Sequence, residues 1–252
     1  MQPATSGPGR PGLRLRLLGR FELSDGESLI RTRPSSERLL AFLAVRGDPV
    51  GRPEAAAALW PDCSDTRAAS NLRSVLWRLP VQQGGVVSAR DGRLALAPDI
   101  VTDLTEIASR LADGTVTGDE KSLSLLQQEV LPGWPETWLV TTRESFHQVR
   151  LRALERLCDQ HREAGHMDSA LAAGLAAVAC DPLRESAHRR LAVIHISEGN
   201  LADALRQYHV YRDLVRSELG LPPSPQFRRL IAPLLGRPAD QTAGNRNVSG
   251  RS

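Results

Sequence analysis

The sequence predicts an α+β winged-helix N-terminal domain followed by an all-α, tetratricopeptide-like helical repeat domain. Three observations carry this. Short alternating strands, three helical patterns and an Asp-Gly hairpin follow one another over residues 13–98. From Asp99 onward helical periodicity replaces strands almost completely. Strings in the second half then recur at a fixed offset, the mark of a repeat architecture. At 252 residues the chain is long enough for two domains, each burying its own core.

Residues 1–12 are rich in Pro and Gly and are expected to be disordered. Leu13-Arg-Leu-Arg-Leu17 then alternates strictly, the period of a half-buried strand. Phe21 to Leu23 and Ser28 to Ile30 read as two more strands, joined by the turn chemistry of Ser24 to Glu27. Pro34, Ser35 and Ser36 open a helix whose Leu39, Leu40, Phe42 and Leu43 face a core and which ends near Gly47. Pro53 suits the start of a second helix, Glu54 to Trp60, which Pro61 stops.

After the polar loop Asp62, Cys63, Ser64 and Asp65 comes an amphipathic third helix, ending at Leu79. Its spacing puts Ala69, Leu72, Leu76 and Leu79 on one face, with Ala68 and Val75 at the border and Asp65 as N-cap. The opposite face carries Thr66, Arg67, Ser70, Ser74, Trp77 and Arg78, with Asn71 and Arg73 on its flanks and no acid among them. Arginines, small hydroxyls and an aromatic are the chemistry of a major-groove reader. A solvated surface or a core-facing Trp77 is the plainer alternative.

Pro80 forbids a long continuation of that helix. Val86 to Ala89 and Leu94 to Leu96 flank Arg90-Asp-Gly-Arg93, and Asp-Gly between two such runs is a strong hairpin signal. Sheet, three helices and hairpin is the winged-helix order, with Arg90 and Arg93 at a tip that can reach phosphates or a minor groove.

Leu104 to Leu111 and Glu120 to Val130 read as the first helices of the second half. Leu131 to Trp138 is a turn whose two tryptophans are expected to anchor the domains to one another, and a long helix follows, roughly Leu139 to Ala164. Beyond it, Ala164 to Leu171 matches Glu198 to Leu205, an offset of 199 − 165 = 34 residues. Ala153 and Ala187, Leu157 and Leu191, and His161 and His195 keep that offset, the tetratricopeptide period. Each such helical hairpin must stack on a neighbour to bury its apolar face. Ser224 to Leu235 is expected to cap the array, and the tail from residue 237 is expected to be disordered.

The net charge is only +3, and all 32 basic residues except Lys121 are arginine, the bias of a GC-rich genome. The placement of positive charge therefore matters more than its sum. Three cysteines without a Cys-x-x-Cys pair suggest reduced thiols, as in the cytosol. No run of eighteen apolar residues exists and the start lacks a signal-peptide core, so a cytoplasmic, nucleoid-associated protein with no membrane partner is expected. Lys121 follows Asp119 and Glu120, so it cannot complete a P-loop. There is no Gly-x-Ser-x-Gly elbow and no His-Glu-x-x-His motif. His161 and His166 lack a completing ligand set. No catalytic residue, cofactor or metal is expected, and hence no enzyme.

Leu13 to Phe21, Ala58 to Pro61, Asn71 to Leu79 and Glu218 to Ser224 together resemble the Streptomyces antibiotic regulatory proteins, over about residues 13–235. The resemblance implies an OmpR-type winged helix at 13–98 and a bacterial transcriptional activation domain at 99–236. It implies an activator of secondary-metabolite gene clusters that binds direct repeats in double-stranded promoter DNA and recruits RNA polymerase holoenzyme. By the same likeness the recognition helix is 66–79, the wing is Val86 to Leu96, and Asp62, Cys63, Ser64 and Asp65 form the loop turned toward polymerase. Pro80 departs from members that extend this helix with further basic residues, and the chain resembles the small members, which lack an ATPase module. DNA contacts are expected from Arg67, Ser70, Asn71, Arg73, Ser74, Trp77, Arg78, Arg90 and Arg93, with Trp77 on a thymine methyl or a sugar, and tandem half-sites imply a homodimer on DNA. A helical-repeat adaptor, or a repressor using the same contacts, is the alternative.

Overall fold

The computed structural model describes residues 12–79, 85–116 and 118–236. The tails expected before and after this span, and the loop from Pro80 to Gly84, lie outside the described residues. Chain order and compactness do not coincide: one unit comprises Met1–Val116 with Gln128–Gln148, the other Thr117–Gln127 with Val149–Ser252.

The first unit opens with strands β1 (Leu13–Arg16), β2 (Glu22–Asp25) and β3 (Ser28–Leu29). They join β7 (Val101–Thr102) in a sheet of order β3-β2-β1-β7, antiparallel except for the parallel β1–β7 pair. Helices α1 (Pro34–Arg46), α2 (Arg52–Leu59) and α3 (Asp65–Trp77) follow. A second sheet, β4-β6-β5, is built from β4 (Val50–Gly51), β5 (Val87–Arg90) and β6 (Arg93–Leu96). Strands β4 and β7, two residues each, carry no periodicity and are invisible in the sequence. The core is chiefly apolar: Leu15, Leu17 and Leu23 from the sheet, Leu39, Leu40, Phe42 and Leu43 from α1, Leu59 from α2, Leu72 from α3 and Leu94 from β6 are all buried, with Ser36 and Thr102 buried beside them. This is the winged-helix arrangement, with α3 packed on α2 and α1 and the hairpin packed on α1 through β6.

At α4 (Asp103–Ala112) the Asp103 carboxylate accepts the backbone N–H groups of Leu17 (2.8 Å) and Leu18 (2.9 Å), where β1 runs out of partners. Burial raises the Asp103 pKa above its ordinary value, and these amide hydrogen bonds only partly oppose the rise.

One expectation needs correction here. The helix expected over Glu120 to Val130 is α5 (Glu120–Gln127), which stops three residues earlier. Val130 instead bridges to Leu18, with Gly19 N–H donating to Glu129 (2.8 Å) and Leu131 N–H to Leu17 (2.8 Å). Pro132 disfavours helical backbone at Leu131, and strand pairing satisfies the amides that the helix gives up. The two tryptophans, expected to anchor residues 99–236 to residues 13–98, do pack on aromatic residues of the latter, and both partners fall within the first unit. Trp134 stacks on Phe21 with centroids 6.0 Å apart, and Trp138 meets Phe42 edge-on at 5.4 Å. Glu136 between them takes a bidentate pair from Arg38 (2.7 and 3.0 Å) and the indole N–H of Trp138 (3.1 Å). The aromatics thus strap residues 128–148 to the winged helix.

Helix α6 (Val140–Glu163) continues from a short 3-10 turn, Thr137–Leu139. The second unit takes its later part, with α5, α7 (Met167–Cys180), α8 (Glu185–Ser197), α9 (Leu201–Leu219) and α10 (Pro225–Ile231). The repeat is visible in the backbone. Gly165 and Gly199 both adopt positive φ, 77° and 78°. His166 N–H donates to His161 (2.9 Å) just as Asn200 N–H donates to His195 (2.8 Å), each pair shifted by 34 residues. Leu157 and Leu191, and Ala153 and Ala187, are buried at equivalent positions. Tight packing falls on Gly174, where a Cβ would lie 2.6 Å from Leu191 Cδ2. Glu155 on α6 is buried yet satisfied, accepting from Arg184 Nε (2.7 Å) and Nη2 (3.0 Å) and from Ser186 at the start of α8. The array closes where α10 packs Phe227 and Ile231 against Tyr208, Tyr211 and Val215 of α9. The expected single capping helix is therefore α10 followed by a 3-10 turn, Ala232–Leu235, with Ser224 as its cap.

Candidate nucleic-acid interface

Helix α3 begins one residue earlier than a cap at Asp65 requires. Ser64 is the N-cap: its backbone is extended and its carbonyl accepts the Ala68 N–H (2.8 Å), while Asp65 is the first helical residue. A carboxylate in the first turn still suits the positive end of the helix dipole. The loop residues Asp62 and Ser64 are exposed with Asp65, and Cys63 is half-buried.

The buried stripe of α3 is Ala68, Leu72 and Val75, continued by Leu79 just past the helix end. Ala69 and Leu76, expected at its centre, are only half-buried. Periodicity fixes that a stripe exists, but its rotation depends on the packing of α2 against one flank. The consequence lies on the other side. Thr66, Arg67, Ser70, Arg73, Ser74, Trp77 and Arg78 are all exposed, and Asn71 is half-buried on the flank. Trp77 is 88% exposed, which removes the core-facing alternative. Among the described residues, none of Arg67, Arg73 and Arg78 forms an ion pair, so their donors are free to meet an external acceptor.

The wing is built by the Asp-Gly signal in the sequence. Asp91 (φ 50°) and Gly92 (φ 74°) both adopt positive φ, as a type I′ turn requires, and they close β5 onto β6. Arg90 and Arg93 are direct cross-strand partners, and both are exposed. Like charges placed opposite each other destabilise a hairpin. Two arginines at this position therefore concentrate positive charge at the tip of the wing.

One residue escaped the sequence reading. Arg52, exposed at the start of α2, donates its backbone N–H to Gly92 O (3.4 Å) and so ties the wing turn to the helix pair. It also lines a groove of about 580 Å³ with Ala56, Ala69, Leu72 and Arg73. Its only signal was a basic residue next to Pro53. Elsewhere, His161 and His166 lie with ring centroids 6.1 Å apart in the second unit. Burial lowers the pKa of His188, whose ring sits between Pro182 O (2.9 Å) and the Gln207 amide (2.6 Å). Among the described residues no helix is long and apolar enough to cross a membrane.

The bacterial transcriptional activator domain matches residues 90–235, from the wing onward. Regulatory protein AfsR of Streptomyces coelicolor is 30% identical over 234 residues, 86% of this chain and 24% of that protein. Regulatory protein AfsR of Streptomyces griseus is 28% identical over 265 residues, 96% of this chain and 26% of that protein. The chain thus spans about a quarter of the length of these curated relatives. Among solved structures, Mycobacterium tuberculosis EmbR, in complex with a low affinity phosphopeptide, has a TM-score of 0.67 at 22% identity. That alignment covers 91% of this chain and 66% of the EmbR chain, and the likeness is one of fold. With more than half of its length matched, and with these two regulators as relatives, the chain belongs to the bacterial transcriptional activator domain family and is of the Streptomyces antibiotic regulatory protein type.

Proposed function

We propose that this chain activates a secondary-metabolite gene cluster, one for an antibiotic, by binding direct repeats in promoter DNA and recruiting RNA polymerase holoenzyme. The observation that carries this is the outward face of α3, where three exposed arginines and three exposed hydroxyls stand without an acid from Thr66 to Arg78. Arg67 and Arg73 suit guanine edges, which accept bidentate donors in the major groove, and Arg78 at the helix end suits a phosphate. Thr66, Ser70, Asn71 and Ser74 can donate to either. Arg90 and Arg93 on the wing clamp the flanking backbone.

Tandem half-sites call for two protomers side by side on DNA. The exposed loop of Asp62, Ser64 and Asp65, with Cys63, then offers an acidic surface to polymerase. The protein acts in the cytoplasm, on the nucleoid. Substituting that loop should cost transcription in vitro while leaving promoter affinity intact; equal loss of both would refute a separate polymerase role.

The decisive experiment is the double substitution Arg73→Ala with Arg78→Ala, assayed by gel shift on promoter fragments across a salt series. Exposed positions change stability by about 0.5 kcal/mol or less, so the fold should persist. Specific binding should be abolished, and the slope of log affinity against log salt should fall by roughly one for each phosphate that is no longer neutralised. Wild-type affinity in the double variant would refute the interface and favour a helical-repeat adaptor. Raised reporter output on deletion of the gene would favour a repressor.

A further inference from the structure

Trp77 is the largest exposed apolar side chain among the described residues, at 88% exposure. It lies in line with the arginine-bearing face, since Ser70, Arg73 and Ser74 precede it by seven, four and three residues on the same helix. Water around an indole is unfavourable, and an aromatic so placed gains by meeting an apolar partner. A face with arginines and no acids selects a polyanion as the object it meets. The apolar group that a duplex offers in its major groove is the thymine C5-methyl.

We propose that Trp77 is a specificity residue that packs on a thymine methyl at one end of each half-site, a contact that rests on α3 being the DNA-facing helix. Its position follows from helix geometry. Arg67 and Trp77 are ten residues apart, about 15 Å along the helix axis at the α-helical rise. Along a groove that rises 3.4 Å per base pair this spans about four base steps. The thymine therefore lies about four base pairs from the base opposite Arg67. Because α3 ends at Trp77, with Arg78 as its C-cap, no later helical residue competes for that base.

The test uses the full chain and a duplex selected by it from a randomised pool. Each thymine in the selected site is replaced in turn by deoxyuridine, which removes only the methyl. Wild-type protein should lose about fourfold in affinity at one thymine near the end of the half-site, the effect of one buried methyl. Trp77→Ala should bind about tenfold more weakly and be indifferent to deoxyuridine at that position. Circular dichroism checks that the variant is folded, and Trp77 emission should shift to shorter wavelength when the duplex binds. Wild-type indifference to every deoxyuridine, with Arg73→Ala still weakening binding, would overturn the thymine contact while leaving the DNA face standing. Unchanged binding in both Arg73→Ala and Trp77→Ala would overturn the contact together with the DNA face.

Discussion

Substituting Glu155 by Gln tests what holds the helical repeats together. The carboxylate on α6 receives two hydrogen bonds from Arg184 and one from Ser186, and Arg190 places Nη1 3.4 Å from it and Nη2 2.9 Å from Asp159. Glutamine keeps the shape but loses the charge and one acceptor, leaving two guanidinium groups facing an amide. Removing one member of a fully buried pair costs about 3–5 kcal/mol. Here the arginine side chains are 25% and 26% exposed and recover some hydration, so a loss of about 2–3 kcal/mol is expected. For a chain of this size that corresponds to a fall in Tm of about 5–10 °C, read by far-UV circular dichroism. The pH dependence adds a second readout. Burial alone would raise the Glu155 pKa, but hydrogen bonds from Arg184 and Ser186 and the charge of Arg190 outweigh it and hold the group below its ordinary 4.5. A carboxylate with a depressed folded pKa stabilises fully above pH 4.5, and its contribution is lost as pH falls through the lower folded value. The gap between wild type and Glu155→Gln should therefore close in acid. A Tm within about 1 °C of wild type at neutral pH, or a gap that persists in acid, would refute the network as a stabilising feature.

Asp103→Ala should destabilise the first unit by about 1–3 kcal/mol for each amide left without an acceptor, with Leu17, Leu18 and Leu104 the three that face that loss. A urea midpoint equal to wild type would show that water replaces the carboxylate. Gly174→Ala sets two effects against each other: a gain of about 1 kcal/mol in helix propensity, and an overpacking cost of about 1–3 kcal/mol against Leu191 Cδ2 and Cys158 Sγ. Because Leu191 is fully buried and cannot swing into solvent, a net loss is expected in thermal unfolding, and a net gain would mean that the α7–α8 packing can spread.

Much of the fold was legible because its signals are local. The Asp91-Gly92 turn is chosen by two residues that tolerate positive φ, and the hairpin forms where they stand. The repeat was readable because identical backbone turns at Gly165 and Gly199 need similar residues at similar positions. The amphipathic character of α3, and with it the roster of outward arginines, came from periodicity alone. The division of residues 117–148 between two units was not readable, since it depends on pairings such as Arg38 with Glu136, separated by 98 positions.

By itself, then, the sequence determined the order of the helices and of the wing hairpin, its turn type, the repeat period and the existence of a polar face on α3, because each depends on residues within a few turns of one another. The tertiary structure alone decided how far α3 is rotated, and so that Ala68, not Ala69, is buried and Trp77 stands in solvent. It also decided that Gln128 to Leu131 leaves the helix to pair with the end of β1, that Trp134 and Trp138 close onto the winged helix, and that Arg52 joins the wing. These outcomes depend on which distant groups compete for one patch of apolar surface or one unsatisfied amide, and no local spacing records that competition.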